Sequence, residues 1–361
     1  MSKILYTAST YSHIKNFHLP YIEALRSEGH EVLVMARGEE ADFNIPFEKK
    51  LLSSKNTRCR RMIREIFRKE HFDAVILNTT LAAFHIRLAM PRKNRPRCIN
   101  IAHGYLFRRG GGLKDKILRF CEWILRKKTD KILVMNEEDY KICQENNLSR
   151  EGAVMTLGMG AKCPPTAIGR DEIRTELGVA DAYLLTFVGE ISGRKNQCEL
   201  IRALAFVSED IPTVTLCLVG GGDKMEEYAA LAEELGVSDR VLFAGVRANP
   251  CDFIRASDLY VSASKIEGMP FNLIEAMGTD TPVVASCVKG HDDLISEGIN
   301  GYLYPLGDVE KLASLIKGIH SGELTVSCEA MHEVYSKYTF DNVFPRTYAD
   351  IKEALGCEGE G

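Results

Sequence analysis

The chain has 361 residues, 45% of them hydrophobic and 27% charged. This balance is that of a globular protein, long enough for two domains, and it excludes a disordered or fibrous chain. No apolar run approaches the roughly 18 residues of a membrane-spanning helix. The eleven cysteines are scattered without a C-x-x-C pair, which argues for reduced thiols in the cytoplasm and against a disulfide or metal framework.

The net charge of -4 hides an asymmetry: residues 1–165 carry 30 Lys and Arg against 18 Asp and Glu, residues 166–361 carry 16 against 32. The cations cluster in "RCRRMIREIFRKEH", "RLAMPRKNRPR" and "LFRRGGGLKDKILRFCEWILRKKTDK". Two readings stand: solvated helix faces, or a surface for anionic lipid or a diphosphate-bearing substrate. Nucleic acid is disfavoured, because no aromatic-interleaved basic motif or recognition-helix pattern is present.

In chain order, "MSKILYTAST" turns polar after a short apolar run and reads as a first buried strand, not a signal peptide. "EVLVMA", "DAVILN", "RCINIAH" and "KILVMN" continue the strands of a first half, and "AYLLTFVG", "TVTLCLVG", "VLFAG", "LYVSAS" and "PVVAS" form those of a second. Amphipathic stretches such as "FHLPYIEALRSEG" lie between them. Strand–helix alternation of this kind predicts an α/β chain: two doubly wound parallel sheets of roughly five strands each. Gly and Pro concentrate in "GMGAKCPPTAIGRDEI", which places the join there, with domains over 1–165 and 166–339. "TFDNVFPRTYADIKEAL" is a further helix, 340–356.

In open α/β sheets ligands bind beyond the carboxyl ends of the strands, so the segments after each strand hold the candidate chemistry. "TASTYSHIKNFHLP" offers His13, Lys15, Asn16 and His18 in a loop entering a helix, either to touch an acceptor or to cap the helix. "INIAHGYLFRRGGG" ends a strand at His103-Gly104 and continues into a basic loop with Arg108 and Arg109; a lone His at a strand end has a structural reading beside the catalytic one. "FVGEISGRKN" ends a strand at Gly189-Glu190, turns at Gly193 and opens a helix with Arg194-Lys195, two cations suited to a diphosphate. The spacing excludes a Walker A loop, and no G-x-G-x-x-G occurs, which disfavours a nicotinamide or flavin enzyme. "EGMPFNLIEAMG" sets Glu267 in a loop and Glu275 in the second turn of a helix whose first turn holds Pro270. The N–H groups near 269 to 272 are expected to be free there for phosphate or sugar hydroxyls. The alternative is a capping carboxylate and one solvated Glu.

Taken together, "EGMPFNLIEAMGTDTPVVAS", "GHDDLISEGINGYLYPLGDVEKLA", "VGEISGRKN", "LVGGGD", "HGYLFRRGGGLKD" and "SHIKNFHLPYIEAL" resemble, in order and over nearly the whole chain, retaining glycosyltransferase family 4. The match is best with the branch that builds bacterial capsule, exopolysaccharide or O-antigen repeats. The resemblance implies a GT-B fold: two Rossmann-like domains facing each other across a cleft. An N-terminal acceptor domain and a C-terminal nucleotide-sugar domain are expected, with the last helix crossing back to the former.

The same resemblance implies that Glu275 holds the ribose hydroxyls and that Glu267 meets the transferred sugar. Gly268, Met269, Pro270, Phe271 and Asn272 would line the donor, with Gly189, Glu190, Gly245 and Arg247 around base and diphosphate. Lys195 and Arg194 would neutralise the leaving diphosphate, and His103 would line the reaction centre. The acceptor would be reached by His13, Lys15, Asn16, Arg108 and Arg109. Many family members carry an Arg where this chain has Glu190, and Arg194 is the residue placed to replace that cation. No cofactor and no metal are expected, only a nucleotide-sugar co-substrate, UDP-linked before GDP-linked. The expected partners are a lipid-linked saccharide acceptor and, through the basic half, the anionic inner face of the cell membrane. Two other functions share these features: a hydrolysing nucleotide-sugar epimerase of the same architecture, and a non-catalytic sugar-nucleotide or glycan-binding protein.

Overall fold

A computed structural model describes residues 1–48, 53–164 and 168–356. It divides into two units: residues 1–160 with 341–361, and residues 161–340. The expected join between 165 and 166 lies outside the described residues.

The first unit is built on β1 (Lys3–Thr10), β2 (Glu31–Arg37), β3 (Phe43–Asn44), β4 (Ala74–Asn78), β5 (Arg97–Ala102), β6 (Lys131–Val134) and β7 (Ala153–Met155). They form one parallel sheet in the order β3-β2-β1-β4-β5-β6-β7. Helices cover both faces, so the central strands read as continuous apolar runs rather than alternating ones; β4, "AVILN", is buried at all five positions. The second unit holds β8 (Tyr183–Val188), β9 (Val214–Val219), β10 (Val241–Gly245), β11 (Leu259–Ser262), β12 (Val283–Ser286) and β13 (Tyr302–Tyr304). These too are parallel, in the order β10-β9-β8-β11-β12-β13. Leu185 and Phe187 of β8 point to the face covered by Leu200, Ile201 and Leu204 of the helix Gln197–Ser208. Leu184 and Val188 point to the other face, against Leu273 and Ile274.

Both sheets therefore reverse strand order once, between β1 and β4 and between β8 and β11. The sheets have seven and six strands rather than roughly five each. The additions β3, β7 and β13 are two or three residues long, too short to register as apolar runs.

The last helix, Phe340–Leu355, belongs mainly to the first unit. Thr347 Oγ1 donates to the carbonyl of Gly158 at 2.8 Å and lies 2.7 Å from Thr156 Oγ1. Phe344 packs on Tyr21 with ring centroids 4.9 Å apart, and Val343, Ile351 and Ala354 are buried. A segment some 180 residues downstream thus completes the packing of the first sheet's unit.

Candidate active site

In the second unit, the segments that follow β8 and β11 meet where the strand order reverses. Gly189 ends β8, and its N–H donates to Val219 O at 2.9 Å; the N–H of Gly220 in turn donates to Gly245 O at 2.8 Å. These bonds lace the loops after β8, β9 and β10 together. The approach requires glycine at 220: its φ is +144°, and a Cβ there would stand 1.9 Å from Gly189 O.

Arg194 and Lys195 follow in a turn. They do not open the helix, as the sequence suggested, because Asn196 adopts a left-handed φ of 60° and the helix starts at Gln197. Asn tolerates that conformation better than most residues. The turn aims both cations at Glu267: Lys195 Nζ is 2.6 Å from Oε1, and Arg194 donates to Oε2 at 3.2 Å and to the carbonyl of Ile266 at 3.2 Å. Glu267 is only 8% exposed. Its N–H donates to Lys289 O, and Gly290 packs against its Cβ so closely that a side chain at 290 would collide. Burial alone would push the Glu267 carboxyl up. Lys195, then Arg194 and His291, overcome this and hold it at about 2.

Glu275 has the opposite environment. It lies in the short helix Phe271–Met277, and its buried Oε2 has no hydrogen-bond partner among the described residues. Burial raises its carboxyl to about 7, against a small lowering by Cys251. Pro270 precedes this helix instead of lying in its first turn. The N–H of Phe271 is not free as expected: it donates to Met269 O at 3.1 Å. Asn272 anchors the helix start by donating to Val188 O at 2.5 Å, at the end of β8. Glu190 is exposed, and its carbonyl accepts from Gln197. Arg247 is held by Glu176 at 2.8 Å and by the carbonyl of Ala244.

In the first unit the stretch after β1 is already helical, Tyr11–Phe17, rather than a loop, since no Gly or Pro interrupts it. His13, His18 and His103 converge. His18 Nε2 lies 3.0 Å from His103 Nε2 and 3.4 Å from His13 Nε2, while His18 Nδ1 is 2.9 Å from Tyr6 Oη. His103 is therefore not a lone histidine. Burial lowers all three rings, His13 to about 4, and His18 falls further because His103 and His13 lie beside it. All three are neutral near pH 7. Their nitrogens lie within 4.8 Å of one another, making them the group among the described residues able to hold a metal ion. A single N–H···N bond between His18 and His103 also accounts for their approach.

Lys15 and Asn16 are exposed, and among the described residues neither is hydrogen-bonded to this cluster. Arg109 is tied to Glu145, and its N–H donates to Glu138. The N–H of Arg108 donates to Asp115. Tyr6 and His291 escaped the sequence reading. Both are buried, and only the pleat of β1 and the close pass at Gly290 bring them to their clusters.

Residues 169–338 match the family described as Glycosyl transferases group 1, and residues 21–151 match Glycosyltransferase Family 4. A Bacillus subtilis relative, "Putative glycosyltransferase EpsD", is 31% identical over 89% of this chain and 88% of its own. The chain belongs to glycosyltransferase family 4. It is also similar to the Escherichia coli "UDP-Gal:alpha-D-GlcNAc-diphosphoundecaprenol alpha-1,3-galactosyltransferase", 24% identical over 70% of this chain and 67% of that one. Among solved structures it resembles Anabaena Alr3699/HepE in complex with UDP and glucose. The TM-score is 0.80 at 21% identity, covering 99% of this chain and 100% of the other. The family assignment and that likeness identify the two sheets as the Rossmann-like domains of the GT-B fold and the protein as a glycosyltransferase enzyme.

Proposed function

We propose that this glycosyltransferase is a retaining enzyme of cell-surface polysaccharide assembly. It moves a sugar from a UDP-sugar to a saccharide carried on a polyprenyl diphosphate, without a metal ion. The observation that carries the donor assignment is the buried, unpartnered Oε2 of Glu275, close in sequence to a carboxylate that is fully paired. A carboxylate held ready beyond a strand-order reversal suits a vicinal diol, whose two O–H donors match its oxygens. The ribose of a nucleotide offers such a diol.

Lys195 and Arg194 supply the positive charge for the leaving diphosphate. Before donor binds, Glu267 holds both in place at the cost of partly neutralising them. Binding brings phosphate oxygens into the same set of charges, so stabilisation grows as negative charge develops on the leaving group. Neither carboxylate attacks the sugar. The acceptor oxygen enters on the face the diphosphate leaves, and a diphosphate oxygen takes its proton, so retention follows without a covalent sugar–enzyme link. The neutral His103 can offer a sugar hydroxyl a hydrogen bond without adding charge. The lipid-linked acceptor and the uridine base are supported by the names of the two relatives above.

The test is calorimetric titration with UDP, GDP and their sugar conjugates, with and without a divalent ion or EDTA. Transfer to a polyprenyl-diphosphate acceptor is then followed, with the anomeric configuration of the product read by NMR. Micromolar, EDTA-insensitive UDP binding and a retained anomer are expected. An inverted product, or binding that disappears with EDTA, overturns the mechanism. Donor turnover to a new sugar without acceptor overturns the transferase reading.

A further inference from the structure

The helix Leu113–Leu125 carries its apolar stripe on the wrong side for a protein core. At 100° per residue, positions 113, 117, 120 and 124 fall within an arc of about 60°. All four point outward: Leu113 is 75% exposed, Ile117 51%, Phe120 57% and Ile124 51%. Trp123 borders the stripe and is itself exposed, stacked on Phe120 with the guanidinium of Arg126 3.7 Å from its ring centre.

The outward setting is locked from beneath. Glu122 on the opposite face accepts from Arg87 Nη2 at both oxygens, at 2.9 and 2.8 Å, both side chains almost fully buried. Leu125 is buried beside it. Rolling the helix to hide its stripe would strand a carboxylate and a guanidinium in the interior. The exposure is a built feature of the unit.

Cations surround the stripe. Lys114, Lys116 and Arg119 flank it, and Arg126, Lys127 and Lys128 follow at once. Ile124 also lines a groove of about 850 Å³ whose walls include Arg64, Arg68, Arg92, Arg95, Lys127 and Lys128. Arg95 is neutralised by Asp130, but among the described residues Arg64, Arg68, Arg92 and Lys127 make no ion pair. Burial, followed by Arg92 and Arg64, pushes the Lys128 ammonium down, so positive charge is in excess there.

We propose that this helix lies in the interface of an anionic phospholipid bilayer, with Leu113, Ile117, Phe120 and Ile124 among the acyl chains and the adjoining basic groove on the headgroups. The pattern of an outward apolar stripe, an interfacial Trp and flanking Lys and Arg is that of an in-plane membrane helix. A second copy of this face fits poorly, because a two-fold contact would set the same cations against each other. Nucleic acid would use the charge but not the aliphatic side chains. The inference deepens the reading of a lipid-linked acceptor by naming the surface that brings the enzyme to it.

Trp123 is the chain's single tryptophan, so its fluorescence reports on this surface alone. The full chain is mixed with vesicles of phosphatidylcholine, or of phosphatidylcholine with 30% phosphatidylglycerol (~30 mol%, enough to set a surface potential). The expected result is a blue shift and co-flotation with the anionic vesicles, at least about tenfold stronger than with the neutral ones and weakened by salt. The double variant Ile117→Asn, Phe120→Asn should lose the shift and the flotation, keep its melting temperature, and still transfer sugar to acceptor dispersed in detergent. Absence of a shift with either vesicle overturns the proposal. So does equal binding by the double variant, or a dimer that the variant breaks without any vesicle binding. Failure of transfer in detergent by the unaltered chain would count against the proposed function and leave this surface untouched.

Discussion

The first unit gathers three imidazoles around the Nε2 of His18, and the structure places no acid among the causes that shift them. The second gathers Lys195 and Arg194 around Glu267, with Glu275 nearby in sequence and unpaired at Oε2. Each cluster is centred on a buried residue, His18 and Glu267, yet burial has opposite outcomes. Imidazoles can shed a proton near neutral pH, so desolvation leaves the first cluster uncharged. A carboxylate facing two cations is held ionised, and the second cluster keeps its charges by pairing them. Glu275 shows what happens to the same chemistry without a cation beside it: its carboxyl rises to about 7. The first cluster is suited to orient hydroxyls without attracting ions, the second to exchange one anion for another.

The largest effect is expected at the charged cluster. Lys195→Ala removes one of the cations meeting a leaving diphosphate, and turnover should fall by about 10²–10³ with a much smaller change in UDP affinity. It also leaves Glu267, 8% exposed, short of its closest partner while Arg194 still faces it, at a cost of about 1.5–3 kcal/mol in stability, the scale of one charged hydrogen bond. Adding Glu267→Gln should restore much of the melting temperature and none of the activity. If stability and activity return together, the pair is scaffolding and the catalytic role is lost.

Acid separates the units by sign. A histidine whose folded pKa lies below its unfolded one costs stability as pH falls, because the unfolded chain takes up the proton first. For His13, going from 6.5 to about 4, the loss between those pH values is about 3 kcal/mol, and His18 and His103 add to it in the same direction. Glu275 works the other way. Its folded carboxyl holds a proton up to about 7, so its contribution improves as pH falls from 7 to its unfolded value near 4.5. Glu267, held at about 2, begins to cost stability only below 4.5. Hydrogen exchange on the intact chain at pH 7.5, 6 and 5 should therefore show the sheet of β1 and β4 loosening well before that of β8 and β11. Simultaneous loosening would break the contrast.

Much of this was legible in the sequence, and the omissions have physical causes. Strands buried on both faces announce themselves as apolar runs, and glycines and charges after them mark the strand ends. The edge strands β3 and β13 do not, because edges can be very short. Glu267 and Lys195 were both visible as candidates, but their contact spans 72 positions, and nothing local encodes it. His103 looked solitary for the same reason: its partner His18 is 85 residues away. The turn holding Arg194 and Lys195 reads as a helix start in the sequence, because a left-handed Asn196 leaves no mark that distinguishes it from an ordinary one.

Glu275→Gln sharpens the comparison within the second unit. The side chain keeps its shape and loses the ionisable group, so the folded protein should gain stability at pH 7.5, while UDP affinity falls about 10–30-fold, the scale of one charged hydrogen bond. In the unaltered chain the diol favours the carboxylate, so the bound state holds fewer protons than the free one. UDP affinity should accordingly rise with pH up to about 7 and then level, with proton release measurable in buffers of different ionisation enthalpy. The Gln variant should show a flat profile. A slope that survives in the variant would assign the titration to another group.

The smallest effect tests how far the neutral cluster is isolated from the donor site. Tyr6→Phe deletes the hydroxyl at His18 Nδ1, leaving that nitrogen buried without its partner, and should cost about 1–2 kcal/mol. The more informative consequence concerns the proton. When Tyr6 donates to Nδ1, the His18 proton must reside on Nε2, where it is directed to His103 at 3.0 Å in preference to His13 at 3.4 Å. Without the hydroxyl, the proton is free to move to Nδ1, and Nε2 becomes an acceptor. Nitrogen NMR of the ring should record that change of tautomer in His18 and a matching one in His103. UDP affinity should stay within about twofold, since the ribose and the diphosphate are assigned to Glu275, Lys195 and Arg194 and not to this cluster, while turnover falls more than binding. Loss of UDP affinity would mean that the two clusters are coupled, and the division of labour drawn from their opposite responses to burial would have to be abandoned.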